Sequence, residues 1–181
     1  MRVMKKHPFL QVEFISYVAL TTAEKKQINL IFDVTSEVLK SLLKKEKIIS
    51  SREPYSSVGI SLMLCGDKRM RELNKSSRSK DKITDVLSFP YHEDLRINKG
   101  PLSEDSQLYL GELAICQGQT KRQARKFDIR YSDEFTHLFI HGLFHLMGFD
   151  HEISVAEEEM MQKIEDKALN EFSKIKKQKG S

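Results

Sequence analysis

The stretch HGLFHLMGFDH, His141 to His151, gathers three of the chain's six histidines into one short run. Leu143, Phe144, Leu146 and Met147 lie between them, and Phe135, Leu138, Phe139 and Ile140 extend the apolar pattern upstream, as in a buried helix. On such a helix His141 and His145 stand one turn apart, with a rise of about 6 Å and an offset of about 40°, so both rings can converge on one point. Gly148 can take the left-handed conformation that stops a helix, and the chain can then turn to bring His151 to the same point. The reading is a central helix, a glycine stop and a corner, with three imidazoles around one ion and a fourth coordination position open.

The spacing H-x-x-x-H-x-x-G-x-x-H is that of metzincin ligands, except that Gly142 stands where those proteases carry their catalytic glutamate. Neutral imidazoles suit one Zn²⁺ with a water of lowered pKa, and nickel, cobalt or copper fit the same ligand type. His137 lies one turn earlier. It would sit about 12 Å from His145 along the axis, too far to share an ion with bonds of about 2 Å, so it belongs behind the ligands or in a substrate wall. As separate core residues, these histidines would each need a buried hydrogen-bond partner, whereas one ion meets several of those needs together. Asp150 either orients a ligand ring or forms the turn after Gly148. Glu157 to Glu159 read as favourable charge at a helix N-terminus.

Working outward, FLQVEFISY has the partial alternation of a strand, following a basic N-terminal arm. Thr22 and Glu24 open a long helix through Ile28, Ile31, Val38 and Leu42, closed by lysines 44, 45 and 47. SVGISLMLC (57–65) alternates as a half-buried strand, and a short helix with Met70 and Leu73 follows Gly66 and Asp67. TDVLSFPY (84–91), ended by Pro90, and YLGELAIC (109–116) read as two further strands joined by the polar loop 92–107. QGQTKRQARKF is a basic helix, and Ser132 caps the histidine helix. From Val155 a last helix carries Met160, Met161, Ile164, Ala168, Phe172 and Ile175, and the lysine-rich tail from about Lys174 reads as a solvated, frayed end.

This pattern is α+β: a roughly four-stranded mixed sheet packed with about five helices, the metal site on a central helix. The 181 residues, 39% hydrophobic, fit one domain over 1–181. Cys65 and Cys116 belong to no C-x-x-C pair and read as buried free thiols. No run reaches about 18 apolar residues, and the N-terminus lacks the apolar core of a secretory signal, so a cytoplasmic protein with no membrane partner is expected.

A net charge of +4 is compatible with an acidic partner without demanding one, so local charge decides. From Cys65 to Lys82 seven Lys or Arg face three Asp or Glu, and the loop holds Lys75, Arg78, Lys80 and Lys82. Lys121, Arg122, Arg125, Lys126 and Arg130 against Asp128 form a second basic patch. Either patch alone is a solvated surface. Beside a metal site, a guanidinium at Arg78 acquires a purpose, stabilising charge on a phosphodiester in its transition state, with Lys75, Lys80, Lys82, Lys121, Arg122 and Arg125 as candidate RNA contacts.

With ELNKSSRSKDKITDVLSFP (72–90), LGELAI (110–115) and HLFIHGLFHLMGFDH (137–151) in that order, the sequence resembles the YbeY family of metal-dependent endoribonucleases over about residues 58 to 165. The resemblance implies a zincin-like fold, one Zn²⁺ on His141, His145 and His151, a functional Arg78, and single-stranded RNA as substrate. It further implies maturation of the small-subunit ribosomal RNA at its 3′ end, with the small ribosomal subunit as partner, and ribosome quality control. Ser77, Ile83 and Glu112 depart from the family pattern, in place of an aromatic, a proline and an aspartate. Two rivals stand beside this reading: a metallopeptidase, weakened by Gly142, and a ribosome-associated RNA-binding factor with structural zinc, weakened by the open ligand position.

Overall fold

Period-two segments of the chain assemble into one five-stranded sheet in the order β1-β2-β3-β5-β4, in a computed structural model that describes residues 1–46, 56–97 and 107–179. The strands are β1 (Arg2–Lys6), β2 (Leu10–Ser16), β3 (Ser57–Cys65), β4 (Val86–Pro90) and β5 (Gln107–Cys116). Among them run α1 (Thr22–Glu46), α2 (Asp67–Arg78), α3 (Gln117–Lys126), α4 (Tyr131–Leu146) and α5 (Val155–Lys179). Strands β2, β3 and β5 are parallel, whereas the edge strands β1 and β4 run antiparallel to their neighbours. The sheet is therefore mixed, as expected.

It has one strand more than expected. The basic arm RVMKK pairs with β2 in the register Met4↔Glu13. An edge strand needs only backbone hydrogen bonds on one side, so its side chains need not alternate, and lysines there discourage pairing with another chain. Arg2 also donates from Nε to Glu13 Oε1 at 2.6 Å.

One sheet face is apolar and carries the core: Val12, Phe14, Ile60, Leu62, Leu108 and Leu110 pack with Phe32 of α1, Phe139 and Leu143 of α4 and Ile164 of α5. Full burial of each such side chain contributes about 1.5–3 kcal/mol. On the other face Met70 of α2 packs with Cys65, Leu87, Ala114 and Cys116. Both cysteines are free and buried there, and burial pushes their thiols up, Cys65 to about 11 and Cys116 to about 12, so both stay protonated and unreactive.

Helix ends differ from expectation in two places, the start of α4 and the tail of α5. Helix α1 opens at Thr22, as expected, behind a cap at Thr21: its Oγ1 accepts from the Glu24 N–H at 3.1 Å while Glu24 Oε2 accepts from the Thr21 N–H at 2.8 Å. Its closing Lys44 and Lys45 are in place, and Lys47 lies outside the described residues. Ser132 does not cap α4. The helix starts at Tyr131, the Arg130 carbonyl already accepts from Asp133 and Glu134, and Ser132 is buried in the first turn. The basic tail is helical to Lys179, because Lys176 pairs with Asp133 and Lys179 with Asp33 and Glu37, which pins α5 against α4 and α1. Met160 points outward, at 49% exposure. Of the loop 92–107, residues 98–106 lie outside the described residues, and Gln107 already belongs to β5. No helix among the described residues is long and apolar enough to cross a membrane.

Gly142 sets how closely α4 lies on the sheet. A Cβ there would come within 2.8 Å of the buried Leu113 side chain and 3.5 Å of Ser88 Oγ. The glycine lets the histidine face of α4 run alongside β4, the edge strand.

Candidate metal centre

Helix α4 holds His137, His141 and His145 on successive turns. After Leu146 the chain stops as the sequence predicts: Gly148 has φ +101°, its N–H donates to the His145 carbonyl at 3.1 Å, and the Phe149 N–H donates to the Phe144 carbonyl at 3.1 Å. A Cβ at Gly148 would also fall 2.6 Å from Asp94 Oδ1, so conformation and space both demand glycine. The turn carries His151 back over the end of the helix.

His141, His145 and His151 each offer a ring nitrogen, all within 4.8 Å of one another. Nitrogens that each sit about 2 Å from one ion lie up to about 4 Å apart, so the trio fits a single metal ion with little adjustment. The His141 and His145 Nε2 atoms are 3.0 Å apart, and the ring centroids are 4.6, 5.2 and 5.0 Å apart around the triangle. Burial, then the neighbouring His141 and His151, lowers the His145 pKa to about 4 against an opposing hydrogen bond to the Phe149 backbone. Its ring is thus neutral at ordinary pH and has a lone pair to offer.

Glu165 escaped the sequence reading. From α5 its Oε1 lies 2.6 Å from His141 Nδ1, with the side chain only 14% exposed. A carboxylate there fixes the proton on Nδ1 and turns Nε2 toward the other two rings. A signal was available: Glu165 falls four residues after Met161 and three before Ala168, which places an acid on the buried stripe of an amphipathic helix. Arg96 escaped as well. Its guanidinium bonds Asp94 at 2.8 Å and Glu157 at 2.7 Å and lies 4.7 Å from the Phe149 ring centroid, tying the segment after β4 to the start of α5. Glu157 therefore anchors Arg96 besides favouring the helix start.

The histidines open into a cleft of about 820 Å³ between α4 and β4. His137 is exposed and lines it, with its ring 6.1 Å from that of His141. Asp150 lines it too, and its Oδ1 accepts from the Glu152 N–H at 2.9 Å, the bond of a turn former. Arg78, the last residue of α2, reaches the cleft and donates to both Glu152 carboxylate oxygens, at 3.0 and 3.2 Å. The left-handed Ser79 (φ 56°) ends α2 just behind it, and Asn74 Nδ2 holds the loop through the Lys82 carbonyl at 2.8 Å. Ser77 donates to the Leu73 carbonyl at 2.7 Å, Ile83 is 37% exposed, and Glu112 is exposed on β5.

The six candidate RNA contacts are not brought together at this cleft. Lys75 shares Asp81 with Arg71, and Lys80 and Lys82 are exposed beyond the end of α2. Lys121 pairs with Glu24, Arg122 is bidentate on Asp67, and Arg125 is exposed on α3. None of the six lines the cleft. Asp67 opens α2 and Arg78 ends it, about 17 Å apart by helical rise, so Arg122 marks the far end of that helix.

A family profile described as "Endoribonuclease YbeY" matches residues 19–173. The chain is 34% identical to the endoribonuclease YbeY of Thermodesulfovibrio yellowstonii, over 83% of this chain and 89% of that one. It is 36% identical to that of Sulfurimonas denitrificans, over 82% and 88%. In three dimensions it superposes on the solution structure of a Thermotoga maritima protein with a TM-score of 0.53 at 26% identity, covering 92% and 89% of the two chains.

Proposed function

The chain belongs to the YbeY family of endoribonucleases, and from that membership we propose that it is a zinc-dependent, single-strand-specific enzyme maturing ribosomal RNA. Its substrate would be the 3′ region of small-subunit ribosomal RNA, met on the small subunit in the cytoplasm, with a part in ribosome quality control. That it is an RNA-cleaving hydrolase follows from the family itself. The finer assignment is supported by one observation above all: three imidazole nitrogens within 4.8 Å of one another share a cleft with the Arg78 guanidinium.

His141, His145 and His151 would hold one Zn²⁺, which supplies Lewis-acid polarisation of a phosphoryl oxygen and lowers the pKa of water. Glu165 keeps His141 turned to the centre by holding its Nδ1 proton. Arg78, whose Nη2 donates to both Glu152 oxygens, exchanges that carboxylate for the phosphodiester and steadies its developing negative charge. The exchange is cheap because the Arg78–Glu152 pair is exposed, and exposed pairs contribute about 0–1 kcal/mol. His137 forms the wall along which the strand lies. Gly142 leaves no carboxylate at the position of a metzincin's base, and Leu113 fills the space one would need, which counts against peptide hydrolysis.

The test measures bound metal and cleavage of single-stranded ribosomal RNA together, in the wild type, His145→Ala and Arg78→Ala. Loss of both in the first variant and of cleavage alone in the second supports the assignment. Full cleavage by the metal-free His145→Ala protein would refute it.

A further inference from the structure

Beyond the one phosphodiester that Arg78 would take, the described lining of the cleft carries the wrong charge to hold RNA by its phosphates. Among the described residues its lining has five carboxylates, Asp85, Glu93, Asp94, Asp150 and Glu152, against two guanidinium groups, Arg78 and Arg96. Both guanidinium groups are already engaged, Arg78 by Glu152 and Arg96 by Asp94 and Glu157. Two more positive charges from a dication on the histidines would still not outnumber the carboxylates. Counterion release, the main source of affinity in basic nucleic-acid sites, is therefore small here. Another source of binding energy is needed, and stacking of bases on aromatic rings supplies it without charge.

The edge strand that lines the cleft leads to such a ring. Tyr91 directly follows Pro90, which lines the cleft at the end of β4, and at 71% it is the most exposed Phe or Tyr among the described residues. It is exposed yet braced. Its N–H donates to the Leu110 carbonyl at 2.9 Å, and its ring stands nearly perpendicular to those of His92 (centroids 5.0 Å apart, 85°) and Tyr109 (5.8 Å, 73°). The Tyr109 hydroxyl donates in turn to Ser61 Oγ at 3.0 Å. Two other exposed rings are engaged by cations, Tyr17 by Arg69 at 4.4 Å and Phe127 by Lys126 at 5.4 Å.

We propose that Tyr91, braced by Tyr109 and His92, is a stacking shelf for a base of the RNA substrate adjoining the phosphodiester held in the cleft, so that the enzyme grips RNA by stacking more than by charge. The inference rests on the endoribonuclease reading and deepens it. A paired base keeps its faces inside its own helix, so a shelf of this kind selects unpaired RNA.

The probe is a short single-stranded RNA, measured for equilibrium binding and for cleavage with the metal-loaded protein. Tyr91→Ala weakens binding about 10-fold, Tyr91→Phe retains it, and Phe127→Ala behaves as wild type. Substituting an abasic nucleotide beside the cut weakens the wild type equally and leaves Tyr91→Ala unaffected. Wild-type affinity falls less than about 10-fold between about 50 and 200 mM salt, far short of a basic phosphate-binding site. RNA bound and cut equally by Tyr91→Ala and wild type overturns the shelf while leaving the nuclease standing, and a steep salt dependence overturns it too. Tyr91-dependent binding of RNA that is never cut would keep the shelf and remove the cleavage reading.

Discussion

The histidine corner and the two basic segments carry the chain's most conspicuous sequence signals, and the fold treats them in opposite ways. At the corner, backbone and buried side chains leave little choice: Gly148 fixes the turn, Gly142 fixes the depth of α4, and Glu165 fixes the ring of His141. In the basic segments Lys75 pairs with Asp81, Lys121 with Glu24 and Arg122 with Asp67, while Lys80, Lys82 and Arg125 stay exposed, and only Arg78 reaches the cleft. Converging ligands are set by short-range geometry. Available charge is set by whichever residues the fold brings alongside.

The largest effect tests the corner itself. In His145→Ala, one of three ligands is gone, and cleavage should fall at least about 1,000-fold, about 4 kcal/mol of barrier, with bound metal lost in parallel. Treating the wild type with a chelator should reproduce that loss, and adding metal back should reverse it. Measured together, the two results separate a metal requirement from a folding defect.

Arg78→Ala should lower cleavage about 100-fold while bound metal is unchanged, since one positioned donor to a charged transition state is lost. Retained cleavage would place Arg78 with the other paired surface cations. Glu165→Gln should weaken metal affinity by about 10-fold, read by competition with a chromophoric chelator, because the amide holds the ring less well than a carboxylate. Unchanged affinity would show that α4 alone orients His141.

The smallest effect sharpens the contrast from the other side. Arg122→Ala should leave cleavage within about 2-fold of wild type and shift unfolding free energy by less than about 1 kcal/mol, as for an exposed pair far from the cleft. A large loss of RNA cleavage there would mean that the second basic patch does touch the substrate.

Much of this was legible in the chain. Strands β2, β3, β4 and β5 and all five helices were read from the sequence, β2 and β3 by alternation and α1 and α5 by their helical period, because buried faces repeat with the geometry of their element. Strand β1 was not legible, since an edge strand held by backbone bonds needs no apolar rhythm. Ser132 misled because a capping residue type can equally sit one turn inside a helix that starts earlier. Glu165 and Arg96 were missed since their partners, His141 and Glu157, lie on other segments of the chain.

The sequence by itself determined the local geometry of the site: two histidines one turn apart, a glycine that must go left-handed, and a third histidine just beyond. These follow from the fixed rise and twist of a helix and from the steric freedom of glycine, which act over a few residues wherever they occur. Only the tertiary structure decided which carboxylate steadies the ring, which arginine enters the cleft, and which aromatic side chain is left bare beyond the end of β4. Those depend on packing between segments far apart in the chain, where each charge or ring meets whatever the sheet and helices bring beside it.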